Sequence, residues 1–372
     1  MREEHSHILI LSAPIRRRTG VKMRFLPNQK NVRILGRTLT INDVLYLGYS
    51  GSAIEFQCKA SKVEVVITSE YRDGNDIFKP WLAVVINNQE NLHKRFSPMP
   101  GQNTYLLYEG DLTETVTVRL LKMSEAAFDK IGIKEILIEG MEPIIPTVIS
   151  NRKIEFIGDS ITCGYGIEGK ADIDVFNTTQ ENPWEAYAAM TARRLKADYH
   201  LVSWSGIGII SSYTEEEVPL EDPLMPDLYQ YTDKALEQAI GKNSFTKWNY
   251  AGFVPECIVI NLGTNDQSYT KGVPERIEAF KKGYKLFLKQ VRTNNPDSVI
   301  VCTLGVMGQE LCETIGSVVE EIREEGDHLV FAYTFPLQLD EDGIGADGHP
   351  SLLTHLKMAE KLTDILQKIM NW

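Results

Sequence analysis

The hydrophobic period of the chain changes near Asn151, and that change restricts it to few architectures. From Asn31 to about Glu139 apolar and polar residues alternate, punctuated by Gly, Asn and Asp, as half-buried antiparallel strands require. Val44–Leu47, Ala53–Phe56, Val63–Ile67, Leu82–Ile86, Tyr105–Tyr108, Val116–Val118 and Ile136–Ile138 are the strands expected of an all-β sandwich. After Asn151 short apolar runs alternate with helical patterns instead. Lys153–Ile157, Tyr199–Ser203, Cys257–Asn261, Val299–Thr303 and His328–Ala332 read as strands. Between and after them, Trp184, Tyr187, Ala188, Thr191 and Leu195 recur at helical spacing, as do Ile277, Phe280, Tyr284, Phe287 and Val291, and Leu352, Leu356, Ala359, Leu362, Leu366 and Ile369. A parallel sheet with crossover helices is written this way, so the second half is expected to be a three-layer α/β domain.

The expected division is an extension over residues 1–22, a sandwich over 23–145 and an α/β domain over 146–372, with Pro143 and Pro146 marking a linker. The apolar stretch Ile8–Ile15 has Glu3 and Glu4 before it and Arg16, Arg17 and Arg18 after it. A secretory signal carries the opposite charge order, and no run reaches the length of a membrane span. The cysteines Cys58, Cys163, Cys257, Cys302 and Cys312 are dispersed and lack any C-x-x-C pair, so free thiols in a reducing, cytoplasmic setting are expected. A net charge of −12 argues against nucleic-acid or anionic-membrane partners and fits a neutral ligand. Homo-oligomerisation is left open.

Ligands of such sheets bind beyond the carboxyl ends of the strands. Four segments there stand out: Gly158-Asp159-Ser160-Ile161-Thr162, Ser205-Gly206-Ile207-Gly208, Gly263-Thr264-Asn265-Asp266 and Asp347-Gly348-His349-Pro350. Taken singly, Ser160 could cap a helix, Gly206 and Gly208 could serve a turn, Asn265 an Asx-turn and His349 a cap. Together they supply what ester hydrolysis needs: a nucleophile, a base, and donors for the tetrahedral intermediate.

These blocks resemble those of the SGNH (GDSL-type) hydrolases, and the sandwich ahead of them is similar to the jelly-roll domain of carbohydrate esterase family two, the acetyl xylan esterase type. The resemblance implies a flavodoxin-like SGNH-hydrolase sheet preceded by a jelly-roll sandwich. It implies Ser160 as nucleophile, His349 as general base and acid, and an oxyanion hole from the N–H groups of Ser160 and Gly206 and the amide of Asn265. The superfamily's last block is Asp-x-x-His-Pro, but Ala346 stands where its Asp would be. Substitutions of this kind occur in the esterase family, where a main-chain carbonyl orients the histidine. The Asp347 carbonyl is the first choice for that role, with the carboxylates of Asp340 and Asp342 as alternatives. Gly348 replaces the aromatic residue that often precedes the histidine.

Gly164-Tyr165-Gly166-Ile167-Glu168-Gly169 spells a dinucleotide fingerprint, but it begins seven residues beyond Ile157 instead of in the strand-to-helix turn. The acidic loop Asp340–Gly343 with Asp347 lacks EF-hand spacing, and His355 reads as a surface or capping residue. No metal or organic cofactor is required. Trp204 and Tyr165 are the expected sugar-contacting aromatics, with Trp184, Tyr213 and Met307 also near the active edge.

The expectation is a serine esterase that removes O-acetyl groups from xylan or mannan oligosaccharides through a Ser-His dyad and an acetyl-enzyme. Its rivals are an SGNH esterase or thioesterase for another acyl group, and a carbohydrate-binding protein with a degenerate hydrolase domain.

Overall fold

A computed structural model describes residues 20–71, 75–171 and 173–372. Ahead of Asn151 lie β1 (Val21–Phe25), β2 (Arg33–Leu35), β3 (Thr38–Ile41), β4 (Val44–Leu47), β5 (Ala53–Cys58), β6 (Ala60–Tyr71), β7 (Leu82–Ile86), β8 (Lys94–Phe96), β9 (Gly101–Glu109), β10 (Val116–Lys122), β11 (Asp129–Gly140) and β12 (Ile145–Pro146). They form two antiparallel sheets. One runs β3-β4-β11-β6-β9 with β1 also on β11, and the other runs β12-β5-β10-β7-β8 with β2 also on β5. The period-two pattern explains the packing. On β6, Val63, Val65 and Ile67 are fully buried, while Lys62 and Glu64, on either side of Val63, pair at 2.8 Å on the outer face. Of the expected extension, residues 1–19 lie outside the described residues, and Val21 already opens a strand.

The second half holds β13 (Lys153–Gly158), α1 (Ser160–Cys163), α2 (Tyr187–Arg194), β14 (Asp198–Ser203), α3 (Met225–Leu228), α4 (Lys234–Ala239), β15 (Cys257–Asn261), α5 (Thr264–Thr270), α6 (Pro274–Asn294), β16 (Val299–Leu304), α7 (Cys312–Glu324), β17 (Val330–Thr334) and α8 (Leu352–Met370). The strands are all parallel, in the order β14-β13-β15-β16-β17. This is the flavodoxin-like order, with its switch point beside β13. Helices α6 and α7 bury Phe280, Tyr284, Phe287, Ile315 and Val318 on one face; α2 and α8 bury Tyr187, Met190, Leu362 and Leu366 on the other. Each such side chain contributes roughly 1.5–3 kcal/mol by leaving water.

Two expectations shift. The last strand starts at Val330, two residues later than expected, because Asp327 accepts the Leu329 N–H at 3.1 Å in a local turn and is itself gripped by Arg292. Trp184 precedes α2 and does not lie on it; it is buried against Leu35, Ala53, Ala83, Val85 and Leu121 of the sandwich, its indole N–H donating to the Glu90 carbonyl at 2.6 Å. The two halves also meet through Arg37. Fully buried, it reaches from the sandwich to the carbonyls of Tyr229 and Tyr231 (2.7 and 2.9 Å) and to Glu155 of β13 at 3.2 Å. Among the described residues no helix is long and apolar enough to cross a membrane.

Candidate active site

The sheet delivers the four motif segments to the carboxyl ends of β13, β14 and β15 and to the loop before α8. Ser160 opens α1 directly after β13. The cap of that helix is Asp159, whose carboxylate accepts the Ile161 N–H at 3.0 Å, so the Ser160 hydroxyl is not used for capping. Its Oγ lies 2.9 Å from His349 Nε2 instead. The Ser160 N–H is the first of its helix and has no partner inside it.

His349 is held from its other nitrogen. Nδ1 stands 3.2 Å from the main-chain carbonyl of Asp347, a residue in the left-handed region at φ 50°. A proton on Nδ1 donated to that carbonyl leaves the Nε2 lone pair for the serine hydroxyl. The Asp347 carboxylate faces elsewhere and accepts the Tyr165 hydroxyl at 2.9 Å. Asp342 is engaged by Lys357 at 2.6 and 2.7 Å, and among the described residues neither its carboxylate nor that of Asp340 hydrogen-bonds the imidazole. Burial pulls the His349 pKa down to about 4, opposed by the Asp347 carbonyl. The ring is therefore neutral at neutral pH, as a base must be.

The histidine loop rests on the segment leaving α1. The Gly166 carbonyl accepts the Ala346 N–H at 3.0 Å, and a Cβ at Gly166, whose φ is +70°, would meet the Ala346 carbonyl oxygen at 2.7 Å. This close approach gives the glycines of the apparent dinucleotide fingerprint a packing purpose. Tyr165 in the same segment packs between the rings of Phe176 and His349, with centroids at 3.5 and 4.3 Å.

Asn265, near the start of α5, ties two blocks together. Its side-chain amide donates to the Ile207 carbonyl at 2.8 Å and, more weakly, to the Asp159 carboxylate at 3.4 Å. Gly206 adopts φ +79°, its carbonyl accepts the Tyr213 N–H at 2.8 Å, and its own N–H has no partner among the described residues. Two residues escaped the sequence reading. Asp266 accepts the N–H groups of Ile209, Ile210 and Ser211 at 2.8–3.1 Å, and burial raises its pKa to about 6. Its place within the Gly-Thr-Asn-Asp block was the available signal. Glu125, from the sandwich, accepts the Ser205 N–H at 2.6 Å and also the Ser205 hydroxyl. Nothing local in the sequence marks it.

Trp204 is half-buried against the core beneath the loop, Tyr213 is exposed, and Met307 packs on the α2–α8 side. His355 is not at the surface: it is fully buried and accepts the first N–H of α2, that of Tyr187, at 3.1 Å. Among the described residues, Glu125, Cys163 and Glu181 bring potential metal-ligand atoms within 4.8 Å of one another. Burial pushes the Cys163 thiol and the Glu181 carboxyl well up, which disfavours the charged forms a cation would need, and Glu125 is occupied by Ser205. All the cysteines are unpaired.

Residues 156–351 match the GDSL-like Lipase/Acylhydrolase family, and residues 34–147 match the Carbohydrate esterase 2 N-terminal family. The chain is 32% identical over 329 residues to the cellulase/esterase CelE of Acetivibrio thermocellus, a match covering 87% of this chain but only 38% of that protein. It is 28% identical over 345 residues to an acetylxylan esterase / glucomannan deacetylase of Cellvibrio japonicus, covering 92% of this chain and 90% of the relative. A solved family two carbohydrate esterase from Clostridium thermocellum, in complex with cellohexaose, superposes with a TM-score of 0.79 at 31% identity, covering 92% of this chain and 99% of that one.

Proposed function

The chain belongs to the GDSL-like lipase/acylhydrolase family, among the family 2 carbohydrate esterases, and from that premise we propose that it removes O-acetyl groups from hemicellulose oligosaccharides of the xylan or mannan type. Ser160 attacks the acetyl carbonyl as His349 Nε2 takes its proton. The negative charge on the tetrahedral oxygen is met by the N–H groups of Ser160 and Gly206 and by the Asn265 amide hydrogen not held by the Ile207 carbonyl, which gives up its long 3.4 Å contact with Asp159. His349 then gives that proton to the sugar oxygen as its bond to the acetyl carbon breaks, so the sugar leaves as an alcohol, and the acetyl-enzyme is hydrolysed by water that the same imidazole activates. The Asp347 carbonyl keeps the imidazole in the required tautomer without placing a full charge beside it.

The observation that carries this reading is the 2.9 Å contact between Ser160 Oγ and His349 Nε2, with Nδ1 already directed at a carbonyl acceptor. The relatives with acetylxylan esterase and glucomannan deacetylase names support the choice of acyl group and sugar. NMR of acetylated xylo- and mannooligosaccharides before and after treatment is the test. Free acetate should appear as specific acetylated ring positions disappear, and Ser160→Ala should leave the spectrum unchanged. No change with the unaltered chain rejects the reading. The unpaired cysteines favour a reducing compartment as its place of action, which cell fractionation checks.

A further inference from the structure

We propose that Glu125, a residue of the sandwich, is a positioning residue for the reaction: by gripping Ser205 it aims the Gly206 N–H at the charge that develops on the acetyl oxygen. The inference rests on the deacetylase reading and adds to it a residue that touches no reacting atom.

The Ser205 N–H donates to Glu125 Oε2 at 2.6 Å, and the Ser205 hydroxyl donates to Oε1 of the same carboxyl group. One side chain thereby fixes both the direction of that peptide N–H and the rotamer of the residue. Only the ψ rotation of Ser205 then remains between this anchor and the next N–H, that of Gly206. Gly206 needs such an anchor. It has φ +79°, and a Cβ built there would meet nothing within 4 Å, so side-chain packing does not confine it; the Tyr213 N–H on its carbonyl at 2.8 Å and the long Ile207 N–H to Trp204 carbonyl bond at 3.3 Å hold the far side of its peptide and leave the near side to Glu125. Beyond Gly206 the loop is already secured, by the Asp266 carboxylate on Ile209, Ile210 and Ser211. Glu125 supplies the grip on the near side.

The grip is also strong. Glu125 is fully buried, and a carboxyl group in that setting is costly unless hydrogen-bonded, so its two bonds to Ser205 are not readily exchanged for water. It follows closely on β10, with fully buried Lys122 at the end of that strand donating to the Gly48 carbonyl at 2.8 Å. The anchor therefore sits in the short connection between β10 and β11, where Ser124 and Glu125 are both fully buried.

The test uses the full chain with Glu125→Leu, Glu125→Gln and Ser205→Ala. The readouts are kcat and KM on 4-nitrophenyl acetate, the affinity for methylboronic acid, whose serine adduct places an oxygen in the oxyanion position, and the melting curve. Glu125→Leu should lower kcat by about 100-fold with little change in KM, since a donor displaced by an ångström forfeits that much. Boronate binding should weaken with it. Glu125→Gln keeps an acceptor for the N–H and a donor for the hydroxyl, and should recover most of the loss. If Glu125→Leu does not fold, Ser205→Ala, which deletes one bond of the pair, should still lower kcat by roughly tenfold. A folded Glu125→Leu chain with near-normal kcat overturns the proposal, as does a fall in kcat with boronate affinity intact, or an unaffected Ser205→Ala. A wild-type chain that releases no acetate counts against the deacetylase reading itself, a result distinct from any of these.

Discussion

Asp347 addresses two partners with its two ends: its carbonyl stands 3.2 Å from His349 Nδ1, and its carboxylate accepts the Tyr165 hydroxyl at 2.9 Å. If the carbonyl orients the imidazole, the carboxylate is dispensable for that task. Asp347→Ala should keep kcat/KM within about tenfold of the parent, whereas His349→Ala should lose about 10⁴-fold or more, as removal of a general base does. Steady-state kinetics on 4-nitrophenyl acetate compare the two, and equal losses would disprove the carbonyl role.

The Asn265 amide donates to the Ile207 carbonyl and reaches toward Asp159, so its removal has two separable consequences. Loss of an oxyanion donor should lower kcat by about 10²–10³-fold. Leaving the Ile207 carbonyl unpaired should cost about 1–3 kcal/mol of stability. Asn265→Ala is expected to show both effects, in single-turnover kinetics and in denaturant unfolding respectively.

Burial holds the His349 pKa near 4. The base works only when neutral, so activity should be lost as pH falls through the folded pKa. The acidic limb of kcat/KM should lie near pH 4, well below the value of about 6.5 for a histidine in water. A limb near 6.5, measured with a substrate lacking ionisable groups, would show that the imidazole is solvated in the working enzyme.

Gly166→Ala should damage catalysis without touching a reacting group. The new Cβ would press on the Ala346 carbonyl oxygen at 2.7 Å from a backbone at φ +70°. The left-handed conformation alone costs about 1–2 kcal/mol for a residue with a side chain. Displacing the histidine loop should lower kcat by about 100-fold. Retention of full activity would show that the loop can yield.

The parallel strands were legible because burial on both faces writes continuous apolar runs, as in Cys257–Asn261, where every residue is buried. The short sandwich strands were not: Arg33–Leu35 and Lys94–Phe96 have three residues each and too little alternation to register. Ser160, Gly206, Asn265 and His349 could be singled out because each falls in a motif, on the segments that follow β13, β14 and β15 or that precede α8. Glu125 could not, since its partner Ser205 lies 80 residues away and the pairing exists only after two sheets have docked. Trp184 misled by fitting a helical period while its indole belonged to the sandwich, where Arg193 stacks on it at 3.9 Å.

The buried Arg37 bears on how the chain can be cut. Truncation to the residues after Asn151 would withdraw this cation from Glu155, on β13, and leave that carboxylate inside the sheet with the Tyr229 hydroxyl, 2.9 Å away, as its remaining side-chain hydrogen bond among the described residues. Breaking such a pair on one side costs about 3–5 kcal/mol, a large share of what holds any domain folded. The sandwich is thus no accessory to be trimmed: the half that bears the serine depends on it for its own solvency in charge.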